Sequence, residues 1–288
     1  MMRQIWRKTV LLSRMVKIEH SVFALPFAYT GMVWAADGWP GWKIFTALTI
    51  AMVAIRSYAM AVNRLLDLPL DAKNPRTASR PLVTGEIGIA ETRIFIAVCA
   101  VIFLVSCALL NVLCLALAPF ALAWSALYSW TKRFTRLCHY VLGSVLGLAP
   151  VAGWLAVNPS LEPGAVLLGL GVVFWVGGFD ILYACQDEEF DRSEGLHSLP
   201  ASTGVPTALA LSTFSHAVAG LFFLLAGWVA GAGWLYFVFA LLIWAILMYE
   251  HRLIAPQDMS RVNLAFFTMN GFVAVLLLVG AVLDRIFT

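Results

Sequence analysis

Five of the eight aspartates in this 288-residue chain fall in two short windows. The first reads Asn63-Arg-Leu-Leu-Asp67-Leu-Pro-Leu-Asp71, and the second Asp180-Ile-Leu-Tyr183-Ala-Cys-Gln-Asp187-Glu-Glu-Phe-Asp191. Asn63, Asp67 and Asp71 are spaced by four, and Tyr183, Asp187 and Asp191 repeat that spacing 120 residues later. Residues four apart share one face of a helix. Asp180, at offsets of seven and eleven from Asp187 and Asp191, falls on the same face. Pro69 is expected to end or bend the first helix, which puts Asp71 in the loop beyond it. Two such clusters could hold Mg²⁺ from opposite sides, since Mg²⁺ takes oxygen ligands and shares its shell with substrate phosphates. The plain alternative is that the acids stand in water at helix ends and balance nearby arginines. Two spacing-matched clusters in so charge-poor a chain count against it.

Basic residues sharpen the chemistry. Lys73, Arg76 and Arg80 follow the first window, and Pro81 stiffens the backbone beside Arg80. A second group, Lys132, Arg133 and Arg136, follows Tyr128. Carboxylates alone would bind a metal ion; added Arg and Lys suit an anion of high charge density such as a diphosphate. For Lys132, Arg133 and Arg136, plain topology determination is an equal alternative. The five cysteines lack paired metal-ligand spacing and read as small hydrophobes, Cys185 included. His139, His197, His216 and His251 are scattered and match no ligand pattern.

The elements that must position these residues are membrane helices. Apolar residues make up 61% of the chain and charged residues 12%, and the mean hydropathy is +0.87. An ordinary cytosolic globule carries about twice that charged fraction, so the composition excludes one, along with a disordered tail or a disulfide scaffold. Nine apolar runs are expected to span, near His20–Ala36, Ile44–Leu66, Ile94–Leu110, Val112–Trp130, Tyr140–Val157, Val166–Cys185, Thr207–Ala230, Trp234–Tyr249 and Leu264–Leu283. Asn111 splits one long stretch into two spans. The runs are continuous, unlike the alternating strands of a membrane barrel. The reading is therefore an all-α integral membrane protein: about nine helices in one bundle around a central cavity open to lipid. Residues 1–288 form a single polytopic domain with no room for a soluble one. The windows at 63–71 and 183–191 hint at a repeat of four-helix units plus a ninth helix. No cleavable signal peptide is expected, because the basic start runs into Val22–Ala36 without a small-residue cleavage site.

Sixteen of the 19 basic residues fall at the amino terminus and after the even-numbered spans. The positive-inside rule puts that side, with both windows, in the cytoplasm. The net charge of +3 gives no footprint for nucleic acid, and none is expected as a partner.

The sequence resembles the UbiA superfamily of intramembrane aromatic prenyltransferases. The resemblance rests on an Asn-x-x-x-Asp-x-x-x-Asp motif at Asn63, Asp67 and Asp71, and an Asp-x-x-Tyr-x-x-x-Asp-x-x-x-Asp motif at Asp180, Tyr183, Asp187 and Asp191. Arg76-Thr-Ala-Ser-Arg80-Pro81 and Tyr128-Ser-Trp-Thr-Lys132-Arg133 match two further family segments, so the likeness covers essentially the whole chain. One departure is Arg64, where many members carry Asp. Arg64 and the segment Lys17-Ile-Glu19-His20 through Pro26 to Tyr29 resemble a branch associated with menaquinone precursors made through futalosine.

The resemblance implies that Asn63, Asp67, Asp71, Asp187 and Asp191 bind Mg²⁺ and, through it, a polyprenyl diphosphate. Arg80 and Lys132, with Arg76 and Arg133, would neutralise the remaining phosphate charge. Departure of the diphosphate leaves an allylic cation, the ring of an aromatic acid attacks it, and Asp180 or Asp191 removes the ring proton or orients the phenol. Arg56, seven residues before Asn63, would meet the acceptor's carboxylate; the alternative is a buried pair with Glu or a backbone carbonyl. Tyr128 and Tyr183 would shield the cation with their ring faces or serve as ordinary interface aromatics. Lys17, Glu19 and His20 would line the aromatic pocket or anchor the chain at the interface. The expected partners are polyprenyl diphosphate, an aromatic acid of the 4-hydroxybenzoate or dihydroxynaphthoate type, and membrane lipid. Transfer to a haem, a chlorophyll precursor or a lipid glycerol is the alternative, and a cation-coupled transporter the more distant one.

Overall fold

A computed structural model describes residues 2–17, 24–254, 262 and 269–288. Glu19, His20 and the first residues of the first and last expected spans lie outside that set. Among the described residues all regular structure is helical. A segment in hydrocarbon must satisfy its backbone polar groups internally, and a helix does so within itself.

The helices are α1 (Met2–Val16), α2 (Leu25–Ala36), α3 (Trp42–Leu66), α4 (Leu68–Lys73), α5 (Ile89–Leu110), α6 (Val112–Thr131), α7 (Cys138–Val157) and α8 (Pro163–Ala184). They continue with a 3-10 turn, Cys185–Asp187, then α9 (Glu188–Ser193), α10 (Leu199–Thr203), α11 (Val205–Val229), α12 (Trp234–Glu250) and α13 (Asn270–Phe287). Seven helices among the described residues are long and apolar enough to cross a membrane, rather than the nine expected. The other two expected runs coincide with the shorter helices α2 and α12, of 12 and 17 residues.

The chain forms two compact units. The first comprises Met1–Ser21 with Thr46–Trp130. Leu11, Met15 and Val16 of α1 pack on Ala61 of α3 and on Ile87. Further along α3, Ala51 and Ala54 meet Phe103 and Cys107 of α5 and Ala118 of α6. Small alanines on α3 admit that approach. On α5, Ile94, Val98, Val101, Val105 and Leu109 form an exposed apolar stripe at helical spacing, as a lipid-facing surface requires. Asn111 separates α5 from α6 for a visible reason: its Oδ1 accepts the Cys114 amide at 2.9 Å, capping the first turn of α6.

The second unit comprises Val22–Phe45 with Thr131–Thr288. Its helices touch through glycine. A Cβ on Gly153 of α7 would lie 1.8 Å from the Ala28 carbonyl oxygen of α2, and one on Gly31 would lie 2.0 Å from that of Pro150. Gly147 and Gly169 bring α7 and α8 together in the same way, each facing the other's carbonyl oxygen. Hydrophobicity does not draw helices together in lipid, so close backbone packing must. Around these contacts Phe27 stacks on Phe223 and meets Trp175 at a tilt in the core, and Trp175 donates to Asn270 Oδ1 at 2.7 Å. Gly153→Ala is therefore expected to force α2 from α7 at about 1–3 kcal/mol. The detergent-solubilised protein should unfold at a lower temperature, and an unchanged midpoint would contradict this packing account.

Candidate active site

In the first unit α3 stops at Leu66, and Asp67 turns the chain into the short helix α4, whose first turn contains Pro69. Proline fits there because no intrahelical partner is lost. Asp71 consequently lies within α4, not in a loop: its amide donates to the Asp67 carbonyl at 2.7 Å. Asp67 and Asp71 are both buried, at 3% and 7% exposure.

A chain of polar contacts fixes these carboxylates. Asn63 Nδ2 donates to Asp67 Oδ2 at 3.0 Å, and Arg64 Nη1 donates to Asn63 Oδ1 at 3.3 Å. Arg64 is itself buried and held by its Nε donating to the Met15 carbonyl at 3.3 Å. Arg80 Nη1 donates to Asp71 Oδ2 at 2.5 Å, and the Thr77 hydroxyl ties the Arg80 loop to the Asp71 carbonyl at 2.9 Å. The Tyr128 phenol stands in the field of Arg64, Asp67 and Arg56. Asn63, Asp67, Asp71, Arg80, Arg56 and Tyr128 thus gather in one unit. Arg76 is exposed, its amide closing a turn on Asn74 Oδ1 at 2.9 Å. A small pocket here is lined by Arg14, Lys17, Arg64 and Arg80 with Asp71, a lining with four cations and one carboxylate.

The second window lies in the second unit. α8 carries Asp180 and Tyr183, the 3-10 turn ends at Asp187, and α9 carries Asp191. A 3-10 break interrupts the helix over which Asp180, Asp187 and Asp191 were expected to share a face. Three residues wound at 120° instead of 100° rotate the helix beyond them by about 60°. The acidic run Asp187-Glu188-Glu189 begins at that break, where the apolar run ends. Asp191 accepts from the Ser198 hydroxyl and lies in the field of Asp187, Lys132 and His139. Lys132, Asp187 and Asp191 are half-buried, as is Arg133. The site residues therefore fall into two sets, one in each unit.

Two histidine pairings join residues far apart in the chain. His139 Nδ1 lies 2.6 Å from Asp180 Oδ2, and its Nε2 accepts the Leu199 amide at 3.1 Å. His216 and His251 also pair, Nδ1 to Nε2 at 2.9 Å, beside buried Glu250. Residues 41 and 35 apart carry no spacing signal. The cysteines are free, and Cys185 packs with Ile181, Leu199 and Ala208, as expected of a small hydrophobe.

Among the described residues, no group of three or more His, Cys, Asp or Glu side chains forms a ready metal cage. Mg²⁺ does not need one, since it binds through one or two carboxylates and completes its shell with water and substrate phosphates. Buried hard-oxygen donors with arginine beside them fit that ion.

Comparison with known proteins gives the same picture. A sequence model described as the UbiA prenyltransferase family matches residues 24–276. A 4-hydroxybenzoate octaprenyltransferase of Citrobacter koseri is 28% identical over 284 residues, 97% of each chain. The structure of a UbiA homologue from Aeropyrum pernix K1 superposes with a TM-score of 0.84 at 34% identity, covering 93% of this chain and 98% of that one. A UbiA homologue from Archaeoglobus fulgidus, bound to DMAPP and Mg²⁺, shares the fold at a TM-score of 0.68 and 18% identity, with 92% and 98% covered.

Proposed function

We propose, for a chain that belongs to the UbiA prenyltransferase family, that its reaction is the Mg²⁺-dependent transfer of a polyprenyl group from its diphosphate to an aromatic quinone precursor. The acceptor is an acid of the 4-hydroxybenzoate or dihydroxynaphthoate type. The protein works as a single polytopic domain of the inner membrane, with its amino terminus and both windows on the cytoplasmic side.

The observation that carries this reading is Arg80 seated on Asp71 beside Asp67. Buried carboxylates next to arginine provide for a cation and a polyanion at one place. Asp67 and Asp71 with Asn63, and Asp187 with Asp191, would hold Mg²⁺. Bound there, the ion supplies positive charge to the diphosphate oxygens as they take up the leaving group's charge. Arg80 and Lys132, with Arg76 and Arg133, would neutralise the remaining phosphate charge. Arg56 takes the acceptor's carboxylate and turns its ring toward the allylic carbon. Tyr128 and Tyr183 present ring faces to the cation. An acceptor acid and an isoprenoid tail can meet only where a helical bundle opens both to lipid and to the aqueous face.

The similarity to the 4-hydroxybenzoate octaprenyltransferase supports the acceptor class, and the Mg²⁺-bound homologue supports the metal. The test is to incubate purified protein with a polyprenyl diphosphate, Mg²⁺ and a panel of hydroxyaromatic acids. A prenylated acid is expected, lost with chelator and regained with Mg²⁺. Product formed equally well in chelator, or only with a haem, a chlorophyll precursor or a lipid glycerol, would contradict the proposal.

A further inference from the structure

We propose that Arg64 is the residue that positions Asp67 for the metal, acting through Asn63; the inference rests on the Mg²⁺-dependent reading above. Arg64 stands on α3 at 7% exposure, a guanidinium taken out of solvent beside the first window. Its Nη1 donates to Asn63 Oδ1 at 3.3 Å, and Asn63 Nδ2 donates to Asp67 Oδ2 at 3.0 Å. A guanidinium only donates and a carboxylate only accepts, so the amide between them can stand one way. Arg64 thereby decides which end of Asn63 faces Asp67. Without it the amide can turn over and set its oxygen against the carboxylate, and Asp67 Oδ2 loses that donor.

The same guanidinium has a second hold. Its Nε donates to the Met15 carbonyl at 3.3 Å, close to the end of α1. The last carbonyls of a helix lack intrahelical partners and carry partial negative charge, so a cation suits that place. This hold sets the plane of the guanidinium, and the plane sets the direction of Nη1. Lysine, a point charge without a rigid fork, cannot keep both bonds. An ionised aspartate at 64 would offer only acceptors to Asn63 Oδ1 and could not make the brace at all.

A pocket opens beside this relay. Arg64 lines it together with Asp71 and Arg80, and with Arg14 and Lys17. Arg64 also stands in the field of Asp67, Asp71 and Arg80. An entering Mg²⁺ therefore finds Asp67 already aimed by a bond whose far end is fixed to another helix. Partners standing behind metal ligands hold their geometry, and losing one costs about 10–100-fold in metal affinity or activity.

The experiment titrates Mg²⁺ into purified protein holding a polyprenyl thiolodiphosphate, an unreactive analogue, with no acceptor present. Calorimetry reads the Mg²⁺ dissociation constant in wild type, Arg64→Lys, Asn63→Ala and the double variant. Arg64→Lys should weaken Mg²⁺ binding about 10-fold or more, although the positive charge is kept. Asn63→Ala should weaken it at least as much. Adding Arg64→Lys to Asn63→Ala should cost nothing further, since the brace then has no amide to hold. Arg64→Gln, a neutral donor on a shorter side chain, repeats the cycle should the lysine variant fail to fold. Wild-type Mg²⁺ affinity in Arg64→Lys overturns the proposal. So do losses that multiply in the double variant. A residue that only tied α1 to α3 would lower the unfolding temperature and leave Mg²⁺ binding by the folded protein unchanged. Wild type that binds no Mg²⁺ with the analogue would instead sink the reading on which the inference rests.

Discussion

Asp67→Asn protein should fold, bind detergent as wild type does, and lose prenyl transfer by at least about 10³-fold, the scale set when groups acting as one catalytic unit are removed. The substitution keeps shape, and the new amide oxygen can still accept from Asn63 Nδ2, which now holds Asp67 Oδ2 at 3.0 Å. What disappears is one negative charge from a pair of buried carboxylates. Asp191→Asn should behave alike, because the Ser198 hydroxyl can donate to an amide oxygen as well as to a carboxylate. Thermal unfolding and product formation check both halves of the expectation. Full turnover in either variant would remove that carboxylate from the chemistry. Metal-dependent transfer lost on this substitution would also exclude a cation-coupled transporter.

Arg80→Ala should lower kcat/KM for the polyprenyl diphosphate about 10²-fold, the range for losing one preorganised donor to a developing anion. It should also leave Asp71 buried without the guanidinium that now sits 2.5 Å away. Arg80→Lys separates the two effects. Lysine restores a charge but not the planar fork, so it should recover stability more fully than rate. Steady-state kinetics with varied diphosphate, beside unfolding midpoints, reads this directly. Equal recovery of both by lysine would mean that Arg80 acts as a point charge only.

Much of this was legible in the sequence because the signals were local. Continuous apolar runs marked the helices, and Asn111 split one of them by the cap its side chain makes. The first window's four-residue spacing placed Asn63, Asp67 and Asp71 in one unit, although Pro69 opens a second short helix there instead of a loop. Non-local facts were not legible. No pattern links His139 to Asp180, or the His197 amide to the Lys132 carbonyl, because their contacts depend on how α7 and α8 meet through glycine. The 3-10 turn at Cys185–Asp187 was hidden as well, since no residue pattern marks where the helix after Asp180 tightens. Arg64 stood out in the sequence only as a departure. In the fold it reaches back to α1 and braces Asn63.

The most direct test of a shared site is the rate of prenyl transfer in Asp67→Asn, Asp191→Asn and the double variant at saturating Mg²⁺. If both windows serve one magnesium-bound diphosphate, the double variant should be about as slow as the worse single variant, since groups acting as a unit are not additive. Losses that multiply would show the two windows working independently and contradict the shared site.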